Sequence, residues 1–246
     1  MFGFGRYAVS KEMQDWLLDG LIWCAGTGLL RPDTPLVTPT KDWFRAPSGA
    51  TSEVTARALL DDILRIVGMT GAAIEMLPIE VLPDELRHQY GQMGEIAGTW
   101  QGDGDGPSLI RYDPTLLRRP TVFLSTMAHE VMHERLHHGP GDWPGGPEAE
   151  ELMTDLAVIA SGFGVLALSG AEDAGWQGYM RQDSRAHAVA LVLGAMGADP
   201  AGAPAHLPGR AAKALKAAIA HLATNDDVAE LRQSLDASGP QPLVMG

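Results

Sequence analysis

Cysteine is almost absent from this chain. Cys24 is the single one in 246 residues, so neither an intramolecular disulfide nor a cysteine metal cluster can form. Basic residues are scarce as well. Lys and Arg number 18 against 31 Asp and Glu, a net charge of −13 with pI near 4.9. That balance argues against nonspecific binding to nucleic acid or to an anionic membrane, which needs a basic face. Long apolar runs are missing. The best candidate, residues 156–168, is shorter than the roughly eighteen residues of a membrane span and carries Ser161 and Gly162. Residues 1–30 do not read as a secretory leader, because Glu12, Asp15 and Asp19 interrupt the apolar core one would need. These absences predict a cytoplasmic protein without nucleic-acid or membrane partners.

What is present is an ordinary globular composition, 45% hydrophobic, in a length suited to one generous domain or two small ones. Residues 10–28 predict an amphipathic helix with Met13, Trp16, Leu17, Leu21 and Ile22 on one side. The stretch 29–50, rich in Pro and Thr, reads as an extended linker. The chain therefore divides into 1–50, a helix and linker, and 51–246, which carries the site and the C-terminal helices. A helix is expected over 53–67. Strands are expected over 73–82 with a bend at Pro78, over 95–101, and over 108–112. The turn Gly102-Asp103-Gly104-Asp105-Gly106 alternates Asp and Gly but lacks the later glutamate of a calcium loop. Beyond it, helices are predicted over 120–138, 147–168, 178–196, 207–223 and 226–237. Strands first and helices afterwards indicate an α+β fold, a small sheet next to a mainly helical body.

The chemistry concentrates in His129-Glu130-Val131-Met132-His133, an HExxH pentapeptide. It lies in a run that starts at Pro120, tolerated in a first helical turn, and stops at Gly139-Pro140-Gly141. Residues four apart share a helix face, so both imidazoles can reach one ion and Glu130 projects beside them. Zn²⁺ suits such a pair, and in catalytic sites it keeps an open position for water. Glu130 is then placed to take a proton from that water. A third ligand is needed. The downstream histidine of the HExxHxxGxxH pattern is missing, since position 136 is Leu and position 139 is Gly. His137 follows on the same helix, but three ligands on successive turns diverge from one centre. The next helix offers Glu148, Glu150, Glu151 and Asp155. Of these, Glu151 and Asp155 are one turn apart and precede an apolar run. A metal-bound histidine needs an acceptor for its other N–H, so either carboxylate can be the ligand and the other the acceptor.

With these residues the chain resembles gluzincin-type zinc metallopeptidases of the zincin-like group. The resemblance implies Glu151 as third ligand, Asp155 as the hydrogen-bond acceptor of the first histidine, and Thr154 where such proteins often carry serine. Asp155 itself is the competing third ligand. Residues 108–200 also resemble an uncharacterised bacterial HExxH family, through Glu151-Leu152-Met153-Thr154-Asp155-Leu156, then Gly162-Phe163-Gly164, then Gly178-Tyr179 and the Ala-rich run 186–193. The expectation is a zinc-dependent hydrolase acting on a peptide or protein substrate. His129, His133 and Glu151 would hold Zn²⁺, with Glu130 as general base. Tyr179, Arg185 and His187 are the candidate donors to the developing oxyanion. The strand at 108–112 is expected to offer an edge to an extended peptide. The alternative is a non-catalytic sensor or binding domain with a closed metal site, completed by His137 or His138.

Overall fold

The computed structural model describes residues 7–79, 97–102, 106–173, 179–198 and 202–238. The fold is α+β. Its helices are α1 (Lys11–Gly26), α2 (Ser52–Ile66), α3 (Pro120–His137), α4 (Glu150–Val158), α5 (Gly164–Asp173), α6 (Gln182–Ala195), α7 (Gly209–Leu222) and α8 (Asp227–Ser238). Its strands are β1 (Ile74–Pro78), β2 (Gly98–Gln101) and β3 (Ser108–Tyr112). Local signals set several of the starts. Ser10 and Thr51 accept N–H bonds from Met13 and Val54 and so cap α1 and α2. Pro120 opens α3 without a side-chain cap.

The sheet is mixed, in the order β1-β3-β2, with β1 parallel and β2 antiparallel to β3. This overturns the expectation that 108–112 presents an edge. β3 is the central strand and both its edges are taken. The strand beside α3 is β2, paired with β3 from Gly98 opposite Tyr112 to Gln101 opposite Leu109. Gly98 permits that approach. A Cβ there would stand 2.7 Å from Thr126 Cγ2 and 3.0 Å from Glu130 Oε1. The outer ends of the expected strands and the turn at 103–105 lie outside the described residues.

Helix α3 runs through the middle of the body. Val122, Phe123, Leu124, Met127, Ala128, Val131, Met132 and Leu136 are all buried on it. A helix apolar around most of its circumference belongs in a core. Each large side chain so buried contributes about 1.5–3 kcal/mol. That gain offsets the desolvation of Glu130, His133 and Glu134, which the same helix also buries.

Two expectations about connections are corrected. The stretch 29–50 holds no regular element, yet Leu30, Val37 and Phe44 are buried in the core. It is a strap packed onto the body and not a free linker. The single helix expected over 147–168 is broken. After α4 comes a π-type bulge, Ile159–Phe163, with Gly162 at φ 95° and ψ −2°. The strap crosses there, and Val37 N–H donates to Gly162 O at 3.0 Å. Within 146–171 an 18-residue window has a mean hydropathy of 1.8, so the segment is long and apolar enough to cross a membrane by length and composition, more than the count over 156–168 suggested. Here 94% of that window is buried inside the protein. It is the fold's own core element.

The α3–α4 loop is tied down from α1. Trp16 Nε1 donates to Pro144 O at 3.0 Å, and Trp23 Nε1 to Asp142 Oδ1 at 2.9 Å. Trp23 also meets Trp143 edge to face, with centroids 6.2 Å apart. Two indoles of one helix thus fix the loop joining the two helices that carry the site.

Candidate metal centre

Helices α3 and α4 pack side by side, which puts the HExxH face opposite the first turns of α4. Three donor atoms converge between them. His129 Nε2 lies 3.2 Å from His133 Nε2 and 3.2 Å from Glu151 Oε2, and His133 Nε2 lies 3.4 Å from that same oxygen. Tetrahedral zinc with ligand bonds of about 2.0–2.1 Å requires ligand atoms roughly 3.3 Å apart. The triangle has that size before any ion is added. His129, His133 and Glu151 therefore form a cluster able to hold a metal ion.

The outer hydrogen bonds point the same way. His129 Nδ1 faces Asp155 Oδ1 at 3.2 Å. Thr154 Oγ1 donates to Glu150 O at 2.9 Å, so toward His133 Nδ1, at 3.4 Å, it acts as acceptor. With both Nδ1–H groups engaged, both Nε2 lone pairs are turned on one point together with a carboxylate oxygen. Three acceptors in contact repel unless a cation stands among them. In the metal-free protein a proton serves. Burial opposes the charge on His129, but its hydrogen bonds to Asp155 and Glu151 outweigh it and raise the imidazole to about 9. His133 is pushed down from its ordinary value by burial and by charged His129. Glu151 is held low, first by its bond to His129. A metal ion would take the place of that proton.

Asp155 is anchored from behind. Its Oδ2 accepts from Arg185 Nη2 at 2.7 Å and from Met180 N–H at 3.0 Å, and Arg185 Nε donates to Met180 O at 3.0 Å. Although burial works against its charge, the bonds to His129 and Arg185 hold the carboxyl below the usual range. Asp155 thus spends both oxygens away from the donor triangle, and the carboxylate that reaches the triangle belongs to Glu151. Asp155→Asn is expected to leave the three donors in place and weaken metal binding about 10- to 100-fold. Competition with a fluorescent zinc chelator measures this, and an unchanged affinity would remove Asp155 from the site.

Glu130 sits beside the triangle. It is 5% exposed, and burial pushes its carboxyl up to about 7 against the pull of His129, with a bond from the Trp100 backbone N–H. Trp100 is the residue that sequence reasoning passed over. Its ring stacks on His133 with centroids 6.0 Å apart, and its Nε1 donates to Glu134 Oε2 at 2.8 Å. Glu134 in turn faces His138 Nε2 at 3.3 Å. Nothing in a four-residue strand announces that its tryptophan will cover a histidine thirty-three positions on. His137 and His138 are exposed and turned toward Trp100 and Glu134, outside the triangle.

The three candidate oxyanion donors separate. Tyr179 lines the cavity over the site, 64% exposed, its ring nearly parallel to that of His129 at 6.5 Å. The charge of Glu151 raises its phenol above the ordinary value. Arg185 also lines the cavity, but its guanidinium is committed to Asp155. His187 is not in the cavity. It is fully buried against Tyr7, whose hydroxyl lies 2.9 Å from Nδ1, and its Nε2 has no partner among the described residues. Burial, then His221, pushes it down to about 4. Two residues along a helix is about 200° of rotation, so 185 and 187 face opposite ways.

The chain matches no known protein family, no curated protein and no solved structure. The resemblances drawn from the HExxH and Glu151–Leu156 elements rest on those residues alone.

Proposed function

We propose that this chain is a zinc-dependent metallopeptidase with a zincin-like arrangement of its site. The observation that carries the reading is the donor triangle of His129, His133 and Glu151, sized for tetrahedral zinc and set in a cavity of about 700 Å³. When bound, zinc lowers the pKa of a coordinated water and polarises a carbonyl. The chain's own residues do the rest. Asp155 and Thr154 fix the imidazole tautomers. Glu130 accepts a proton from the attacking water and returns it to the leaving nitrogen. Tyr179, the candidate donor that lines the cavity with its ring beside His129 and its hydroxyl without a partner among the described residues, hydrogen-bonds the developing oxyanion. Strand β2 walls the cavity and offers an extended peptide a partner along its edge.

A closed structural site is the rival reading. It needs a fourth protein ligand, and His137 and His138 are turned elsewhere. Metal analysis and a peptide library test the proposal together. Protein purified without added metal is expected to carry about one zinc per chain. It is expected to cut members of a mixed peptide library, to stop after chelation, and to resume when zinc is restored. No uptake from micromolar zinc would overturn the metal site. Uptake without cleavage of any library member would overturn the peptidase reading and favour a sensor or binding domain.

A further inference from the structure

The cavity does not end at the metal centre. Its floor is one face of α3, read in order as Val122, Ser125, Thr126, His129, Glu130 and His133. The donors occupy only the C-terminal part of that stripe. Around the start of α3 the lining includes apolar or small residues, Leu116 and Val122 with Gly170 and Ala171 of α5. Arg119, the residue just before the first turn of α3, also lines the cavity.

Arg119 differs from every other charged group of the lining. Glu151 belongs to the donor triangle and Glu150 faces His133 at 3.5 Å. Asp155 and Arg185 are spent on each other. Asp113 accepts Thr115 N–H through Oδ1 at 2.8 Å. The Arg119 side chain is exposed and makes no hydrogen bond or ion pair among the described residues. Among the described residues, Arg119 is thus the arginine of the lining whose guanidinium has no carboxylate partner. Ten residues of helix separate Arg119 from His129, about 15 Å at 1.5 Å per residue. An extended peptide covers that distance in roughly four or five residues.

We propose that Arg119 is the specificity residue of the groove. It pairs with a carboxylate of the bound peptide, about four or five residues from the bond lying over the metal centre. A guanidinium takes a carboxylate through two parallel N–H bonds. The carboxylate belongs to the peptide's C-terminus or to an Asp or Glu side chain. The inference rests on the peptidase reading for its substrate class, but its test does not need turnover.

The probe is a set of N-acetylated octapeptide pools built from Ala, Ser, Leu, Val and Gln. One pool ends in a free carboxylate and one in an amide. A third is amidated and carries a single Glu at varied positions. Retention of each pool on zinc-loaded Glu130→Gln protein is read by mass spectrometry. The free-acid or the Glu pool is expected to be retained about 10- to 100-fold better than the plain amide, and which of the two wins identifies the source of the carboxylate. Arg119→Gln should abolish the preference and Arg119→Lys restore part of it. Arg118→Gln, one position outside the lining, should keep it. A preference that survives Arg119→Gln would mean that the carboxylate goes to the metal, and would overturn the proposal. Equal retention of all pools, or retention of none, would overturn it too. If wild type cuts no pool while the Arg119-dependent preference holds, the groove binds carboxylate peptides and the peptidase reading alone falls.

Discussion

Glu130→Gln is expected to bind metal as the parent protein does and to hydrolyse peptides at least about 100-fold more slowly. The amide is nearly isosteric with the carboxylate, and its oxygen can still accept the Trp100 N–H that holds Glu130 in place. No donor atom of the triangle is touched, so the zinc content should remain near one per chain. What is lost is the proton acceptor. An amide cannot take a proton from the attacking water, and no other side chain with a free carboxylate is buried beside the triangle among the described residues. Burial of Glu130 matters because it brings the carboxyl into the range where a base both accepts and returns a proton near neutral pH. Initial rates on whichever library peptides the parent cuts, with zinc content measured on the same samples, decide the matter. Equal rates at equal zinc would remove Glu130 from the chemistry.

Among the described glycines, Gly162→Ala is expected to be the most damaging addition of a methyl. Position 162 sits at φ 95°, where an L side chain is strained. The added Cβ would also stand 2.1 Å from Pro35 O, a backbone atom of the buried strap that cannot rotate away. Relief requires moving the strap, which strains the Val37–Gly162 hydrogen bond, or unwinding the bulge between α4 and α5. Positive φ costs about 1–2 kcal/mol, and overpacking of this kind adds about 1–3 kcal/mol. The expected loss is about 3 kcal/mol, which in a chain of this size lowers Tm by roughly 6–12 °C. Urea and thermal unfolding measure it. A loss under about 1 kcal/mol would mean that the strap yields easily and that the bulge is not a fixed joint.

Much of this protein is legible in its residues one element at a time. The spans of α1, α2, α3, α7 and α8 follow apolar periodicity and nearby caps or breakers, which are local signals. So does the metal pair, because the four-residue spacing of His129 and His133 is itself a helical geometry. Glu151 and Asp155 were recognisable as one face of the next helix, but their spacing left open which is the ligand. The tie was broken from outside that helix. Arg185 and the Met180 N–H, brought in from the start of α6, take up one oxygen of Asp155 and leave Glu151 to face the imidazoles.

The residues read incorrectly share a cause. The run 147–168 carries no proline after its start and looks continuously helical, yet it breaks at Gly162, because a strap from residues 34–37 must cross it there. The stretch 29–50 looks like a linker because its order comes from packing and not from a repeating pattern. Strand 108–112 looks like an edge because strand order is a property of the sheet. Tyr179, Arg185 and His187 are alike in the sequence as polar groups near one another. Helical rotation and the partners they meet give one a place over the cavity, one a buried ion pair and one a burial far from it. The sequence by itself determined the spans of α1, α2, α3, α7 and α8 and the spacing of the two histidines, since those depend on neighbours within a turn or two. The carboxylate that meets the two imidazoles, the tryptophan over His133, the arginine in the cavity lining and the break at Gly162 each depend on contacts between segments distant in the chain, and only the tertiary structure decided them.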